Sequence, residues 1–193
     1  MQLFFTNNTE NEFTLSSEES KHICKVLRKK DGDTLNFTDG KGNLLIAKIM
    51  TADSRKTRVS IVEKQQKEKQ HNYYLHIAIA PTKNMDRFEW FLEKACEIGI
   101  DEITPIICSR SERKVLKTER CNRILLSAMK QSLKFHLPKM NEAIKALNEA
   151  DLDFLIHLGD FKDQGAEANP QETLKYLQEV ETVFQRFDGD AYH

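Results

Sequence analysis

Five basic side chains crowd a short stretch near the amino terminus: Lys21, Lys25, Arg28, Lys29 and Lys30. Cations at that density suit a polyanion such as the phosphates of a folded nucleic acid; a solvated helix face is the alternative reading. His22, in the same stretch, can stack on a base or serve as a plain surface or capping residue. Farther along, Lys83 and the pair Arg110-Ser111 each follow an apolar run, and Gln131-Ser132 closes a helical stretch. Arginine keeps its charge under all working conditions and presents a planar fork, so Arg110 suits a phosphate or a developing anion. Glu93, Lys94 and Glu97 are spaced either to orient such a cation or to pair with one another along a helix. Asp160 follows the last apolar run, and its hard carboxylate oxygens suit a divalent metal.

Other chemistries are absent. None of the seven glycines falls in a G-x-G-x-x-G or G-x-x-x-x-G-K-[ST] pattern, so neither a dinucleotide fingerprint nor a P-loop is present. The four cysteines, Cys24, Cys96, Cys108 and Cys121, are widely spaced and read as free buried thiols. The chain of 193 residues has 39% hydrophobic residues, enough for a packed core. No apolar run approaches the roughly 20 residues of a membrane helix, and the opening MQLFFTNNTENE lacks a basic region followed by an apolar one. A cytoplasmic, unprocessed protein is expected. The formal net charge of -1 conceals an asymmetry: residues 1–69 carry +3, residues 70–143 another +3, and residues 144–193 carry -7. A basic body is joined to an acidic tail.

The elements that must position these residues follow from the pattern. Ser16 and Glu19 have capping-box spacing and predict a short helix whose apolar face is Ile23, Val26 and Leu27. Three β-rich runs come next, Thr34 to Thr38, Leu44 to Met50 and Thr57 to Val62, with breaks at Asp39 to Asn43 and Ala52 to Ser54. Short strands, tight turns and one helix predict a small β-barrel. The polar run Gln65 to His71 reads as a linker. Tyr73 to Ala80 then predicts a strand buried on both faces. A helix from Asp86 follows, with Phe88, Phe91, Leu92, Ala95 and Ile98 as its stripe and Gly99 as its stop, and then a second apolar run, Ile103 to Cys108. That succession is a βαβ unit, whose ligands bind beyond the strand carboxyl ends, where Lys83 and Arg110-Ser111 fall. A third helix spans about Thr118 to Lys134.

In order along the chain stand Lys21-His22-Ile23 with Val26-Leu27-Arg28, Gly32-Asp33, Asp39-Gly40, Glu93-Lys94-x-x-Glu97-x-Gly99, Pro105, Arg110-Ser111, and Gln131-Ser132 with Pro138. This set resembles the RsmE family, 16S ribosomal RNA uridine N3-methyltransferases of the SPOUT superfamily, from residue 1 to about 143. The resemblance implies an α+β fold: a PUA-like RNA-binding β-barrel over residues 1–69, an incomplete α/β SPOUT-type domain over 70–143, and a divergent βα segment over 144–193. It also implies S-adenosyl-L-methionine as methyl donor, 16S rRNA or the small ribosomal subunit as partner, and a homodimer. Under it, Arg110, Ser111 and Glu93 are catalytic candidates, with Arg110 clamping phosphate or steadying the uridine anion. His22, Lys25, Arg28, Lys29, Lys30, Lys83, Gln131 and Ser132 are candidates for contacting RNA, with Ser111, Gln131 and Ser132 at the uracil edge.

Beyond about Asn141 the family pattern is not seen, and the glycine-rich loop expected to approach the methyl donor is missing, so no cofactor-binding residue is named. The run Leu155 to Asp163, with Gly159-Asp160-Phe161-Lys162-Asp163, is similar to the G-D-x-x-D motif of calcineurin-like metallophosphoesterases. That similarity makes Asp160 a metal-ligand candidate; a plain acidic turn after a strand is the other reading. Besides methyl transfer, two alternatives stay open: an RNA-binding module without methyl transfer, and a fragment of a metal-dependent phosphoesterase.

Overall fold

A computed structural model of the chain describes residues 1–8, 10–69, 71–107, 111, 113–144, 154–156 and 190–192. The first helix starts as the sequence predicts. Ser16 Oγ accepts from the Glu19 amide and Glu19 Oε2 accepts from the Ser16 amide, which satisfies donors a helix start leaves open. This helix, α1 (Ser17–Lys21), continues as a π-helical turn over His22–Val26. The wider turn rotates the side chains away from a 3.6-residue period, so Ile23 is fully buried while Val26 is 65% exposed. The expected apolar face therefore holds Ile23 and Leu27 but not Val26.

Strands β1 (Leu3–Phe5), β2 (Glu12–Thr14), β3 (Thr34–Thr38), β4 (Asn43–Thr51) and β5 (Arg58–Gln66) form one sheet in the order β1-β3-β4-β5-β2. Only β1 and β3 run parallel. Register shifts in β4 at Ile46/Ala47 and Ile49/Thr51 bend that strand, as bulges do. The sheet curls into a half-barrel around Phe4, Phe13, Ile23, Phe37, Ile49 and Val59. The expected barrel is thus a curled, open sheet whose core takes in Leu15, just before α1, and Ile23 of the π-turn.

The second unit is built on β6 (His76–Ile79), α2 (Met85–Ile98), β7 (Glu102–Pro105), α3 (Thr118–Gln131) and β8 (Lys139–Met140), with all three strands parallel in the order β6-β7-β8. Asn84 caps α2 by accepting from the Asp86 amide. At the other end Gly99 takes φ 105° and donates to the Ala95 carbonyl, a left-handed stop that favours glycine. The helices pack on each other through Phe88, Leu92, Ala95 and Cys96 of α2 and Cys121, Leu125, Ala128 and Met129 of α3. Full burial of a large apolar side chain here contributes about 1.5–3 kcal/mol.

Two expectations need correction. Ile98 lies outside the buried stripe, 71% exposed, because Phe88, Leu92, Ala95 and Cys96 centre the buried face about a quarter turn away from it. The run Tyr73 to Ala80 is not buried on both faces: only His76–Ile79 pairs, all four residues are half-buried, and Tyr73 and Tyr74 are exposed. The reason is polar. His76, Glu102, Thr104 and Asn141 share one side of the sheet in a hydrogen-bonded network, which leaves only the other side to the apolar core.

The two units are joined by backbone. The Gly42 amide donates to the Phe135 carbonyl at 2.8 Å, and the Leu137 amide donates to the Gly40 carbonyl at 2.8 Å. The β3–β4 turn thereby pairs antiparallel, at Lys41 and His136, with the segment after α3. A further short parallel pair, β9 (Phe154–Ile156) with β10 (Asp190–Tyr192), lies apart in sequence.

Candidate functional site

The carboxyl ends of β6 and β7 open into a cavity of 420 Å³ lined by Lys83, Arg113, Lys114 and Val115. Lys83 reaches this edge because β6 stops at Ile79, Pro81 is buried, and the chain turns at once into α2. Arg113 comes from the connection between β7 and α3. Its Nη2 donates to the Lys83 carbonyl at 3.3 Å, and its Nε is buried without a hydrogen-bond partner among the described residues. A buried, unsatisfied guanidinium donor beside two lysines is a ready anion site, because an incoming phosphate or carboxylate oxygen would relieve the missing bond. Ser111 is half-buried in the same connection. Arg110 lies outside the described residues. Sequence reasoning found Lys83 here but passed over Arg113 and Lys114, although the basic pair two residues past Ser111 was the available signal.

A second basic surface is formed on the half-barrel. The π-turn ends at Arg28, which takes φ 56°, a conformation rare for a residue with a side chain. Lys25, Arg28 and Lys30 are exposed and Lys29 is half-buried. None of the four makes an ion pair among the described residues, so their charge is available to a polyanion. His22 is half-buried, with its ring edge toward Phe4 at 6.4 Å and Nε2 3.1 Å from the Gln2 amide nitrogen.

Gln131 and Ser132 sit elsewhere. They close α3, with the Ser132 hydroxyl donating to the Ala128 carbonyl at 2.7 Å, whereas Arg113 and Lys114 precede the start of that helix. Fourteen helical residues span about 20 Å, so the structure does not bring Gln131 and Ser132 together with Lys83 and Ser111. Glu93 accepts from Lys94, which also reaches Glu97 at 2.9 Å; the Glu97 and Glu93 carboxylates raise the Lys94 pKa. The three side chains thus pair along the helix face, and Arg110, which the other reading has Glu93 orient, lies outside the described residues.

At the amino ends of the same strands Glu102 is the centre of a network. Tyr74 Oη donates to it at 2.5 Å, Lys139 Nζ at 2.9 Å and Asn141 Nδ2 at 2.6 Å. Burial by itself would raise the Glu102 carboxyl, but these three bonds outweigh it and bring the pKa down to about 2. The same bond pushes the Tyr74 phenol up to about 12. Cys96, held up at about 12 by burial, is an inert core thiol.

The described part of the Lys83 crevice fits S-adenosyl-L-methionine in part: its cations suit the donor's carboxylate or an RNA phosphate, while the glycine-rich donor loop that the resemblance implies is missing from the sequence. Asp160 lies outside the described residues. Among the described residues no three His, Cys, Asp or Glu side chains converge on a metal position, and no helix is long and apolar enough to cross a membrane.

Comparison with known proteins agrees with this architecture. A family described as the RNA methyltransferase PUA domain matches residues 15–62, and one described as the RNA methyltransferase domain matches residues 68–154. A probable rRNA-methyltransferase from Porphyromonas gingivalis, solved by crystallography, is 36% identical with TM-score 0.77, covering 100% of this chain and 78% of that one. The ribosomal RNA small subunit methyltransferase E of Mesomycoplasma hyopneumoniae is 30% identical over 186 residues, covering 90% of this chain and 79% of the relative. The enzyme of that name from Neisseria gonorrhoeae, crystallised with S-adenosyl methionine, shares the fold at 17% identity, with TM-score 0.72 and coverage of 100% and 88%. A PUA-type half-barrel followed by parallel βαβ units with a cationic carboxyl edge defines the class as RNA methyltransferase. Within that class, the chain belongs to the ribosomal RNA small subunit methyltransferase E family, the RsmE family. It spans between 54% and 79% of the length of the curated relatives it matches.

Proposed function

We propose that the protein methylates N3 of a uridine in small-subunit ribosomal RNA with S-adenosyl-L-methionine as donor, as a cytoplasmic homodimer. The observation that carries this reading is the placement of Lys83, Arg113 and Lys114 at the carboxyl edge of the parallel sheet in a chain of this family. The donor supplies an electrophilic methyl group on a sulfonium. The protein's part is to hold the uracil in line and to accommodate the N3 proton and the charge that follows it. Arg113 and Lys83 bind the phosphate next to the target nucleotide, which fixes the base over the crevice. Arg110, three residues before Arg113 in sequence, steadies the uracil anion formed when N3 gives its proton to solvent, and Ser111 hydrogen-bonds the uracil edge. Gln131 and Ser132, about 20 Å away along α3, contact a different part of the RNA. Lys25, Arg28, Lys29 and Lys30 supply phosphate contacts from the half-barrel, and these set affinity more than sequence choice.

The test is a nucleoside digest of 16S rRNA after incubation of unmodified small subunits with the protein and S-adenosyl-L-methionine. N3-methyluridine is the expected product. A different methylated nucleoside would keep the family and refute the assigned atom.

A further inference from the structure

A second cavity lies at the other end of the parallel sheet. It is a cleft of 450 Å³ between the half-barrel and the second unit, walled by Gly40 of the β3–β4 turn, Lys67 to Lys69 with His71 and Tyr74, the end of α2, and residues 133–139. Its volume is that of a small-ligand site. We propose that this cleft holds one nucleotide of a single-stranded RNA segment, with the phosphate at Lys67 and Lys134 and the base on the ring of Tyr74. This rests on the reading that the protein binds RNA and assigns a second contact, remote from the Lys83 crevice.

Charge is the first support. Four lysines line the cleft against two carboxylates, Glu68 and Asp101. Asp101, 5% exposed, is taken up by Lys69 and by the Leu75 amide. Lys139 is taken up by Glu102. Among the described residues Lys67 Nζ donates to a neutral group, the Gln65 side-chain oxygen at 2.7 Å, and pairs with no carboxylate, so its charge remains for an incoming anion. Lys134 brings a further positive charge from the opposite domain.

The second support is aromatic. The Tyr74 ring is 60% exposed, yet its hydroxyl is tied to Glu102, so it is a fixed plate rather than a free side chain. Lys69 Nζ stands 5.3 Å from the ring centroid. Next to it His71 stacks on Tyr73 at 4.2 Å and 14°, and the His71 ring nitrogens lie 2.7 Å from the Tyr73 carbonyl and 2.8 Å from the Gly99 carbonyl. Fixed aromatic faces beside cations are how proteins hold unpaired nucleotides, since every base has a face to stack and every linkage a charge. The walls are pinned by the Gly42–Phe135 and Leu137–Gly40 hydrogen bonds, so the cleft is formed before any ligand enters.

Fluorescence anisotropy of a labelled single-stranded decauridylate with the full chain tests this. Tyr74→Ala and Lys134→Glu should each weaken binding about fivefold or more, and Lys134→Glu should lower the salt slope by about one. Tyr74→Phe, which keeps the ring and loses only the Glu102 bond, should bind within about twofold of wild type. Photocrosslinking of 5-iodouridine RNA to the wild-type protein should yield a peptide containing Tyr74, independent of how any variant folds. Wild-type binding with unchanged affinity in the cleft variants and no Tyr74 crosslink would overturn the cleft and leave the family reading intact. A wild-type protein that binds no RNA would overturn both.

Discussion

The Gly42 amide and the Phe135 carbonyl oxygen stand 2.8 Å apart, joined by a hydrogen bond across 93 positions of sequence. Gly42 takes φ 93°, and a Cβ added there would lie 2.5 Å from His136 Nε2. Gly42→Ala therefore meets both an unfavourable backbone conformation and a steric clash. Strain of this kind costs about 1–3 kcal/mol. For a chain of this size that lowers the melting temperature by about 2–12 °C, which thermal unfolding by circular dichroism checks. An unchanged midpoint would show that the turn does not bear on the interdomain pairing.

Glu102 gives the fold a specific acid sensitivity. Its carboxyl sits near 2 in the folded protein against 4.5 ordinarily. A depressed carboxylate contributes stability that is fully present above the unfolded value and is lost as pH falls from about 4.5 toward 2. Glu102→Gln should then destabilise the protein at pH 7, with the difference from wild type closing through that window. Chemical denaturation at pH 7, 4.5 and 3 reads it. The same bond holds the Tyr74 phenol near 12, so the variant should also bring one tyrosine back toward 10 in an absorbance titration.

Arg28 tests the half-barrel as an RNA surface. It is exposed and makes no ion pair among the described residues, so Arg28→Ala should leave the melting temperature within about 2 °C. It should also reduce the slope of log affinity against log salt by about one. Binding of small-subunit rRNA at several salt concentrations measures this, and an unaltered slope would return the cluster to a solvated helix face.

The local parts of this fold were legible because local chemistry writes them. Ser16 with Glu19 announced α1, Gly99 announced the end of α2, and β3 runs over Thr34–Thr38 as its residues predict. Val26 misled because a π-turn abandons the 3.6-residue period on which the apolar face was counted. Tyr73 to Ala80 misled because an apolar run does not reveal that its neighbours Glu102, Thr104 and Asn141 make one side of the sheet polar. Of the site, Lys83 was visible from its place after a strand. Arg113 was not, since its importance lies in a buried Nε and a contact with the Lys83 carbonyl 30 residues away. The cleft was invisible for the same reason: its walls come from four parts of the chain, far apart in sequence, that only the fold brings together.

Methyl transfer into unmodified small ribosomal subunits, followed with tritiated S-adenosyl-L-methionine, tests the central claim most directly. Wild-type protein should incorporate label into 16S rRNA. Lys83→Ala and Arg113→Ala, which remove cations at the carboxyl edge of β6 and β7, should each lower the rate by about tenfold or more, the loss of one charge-assisted contact worth 1.5–3 kcal/mol. Full incorporation by both variants, or none by the wild type, would contradict the assignment of methyl transfer to this edge.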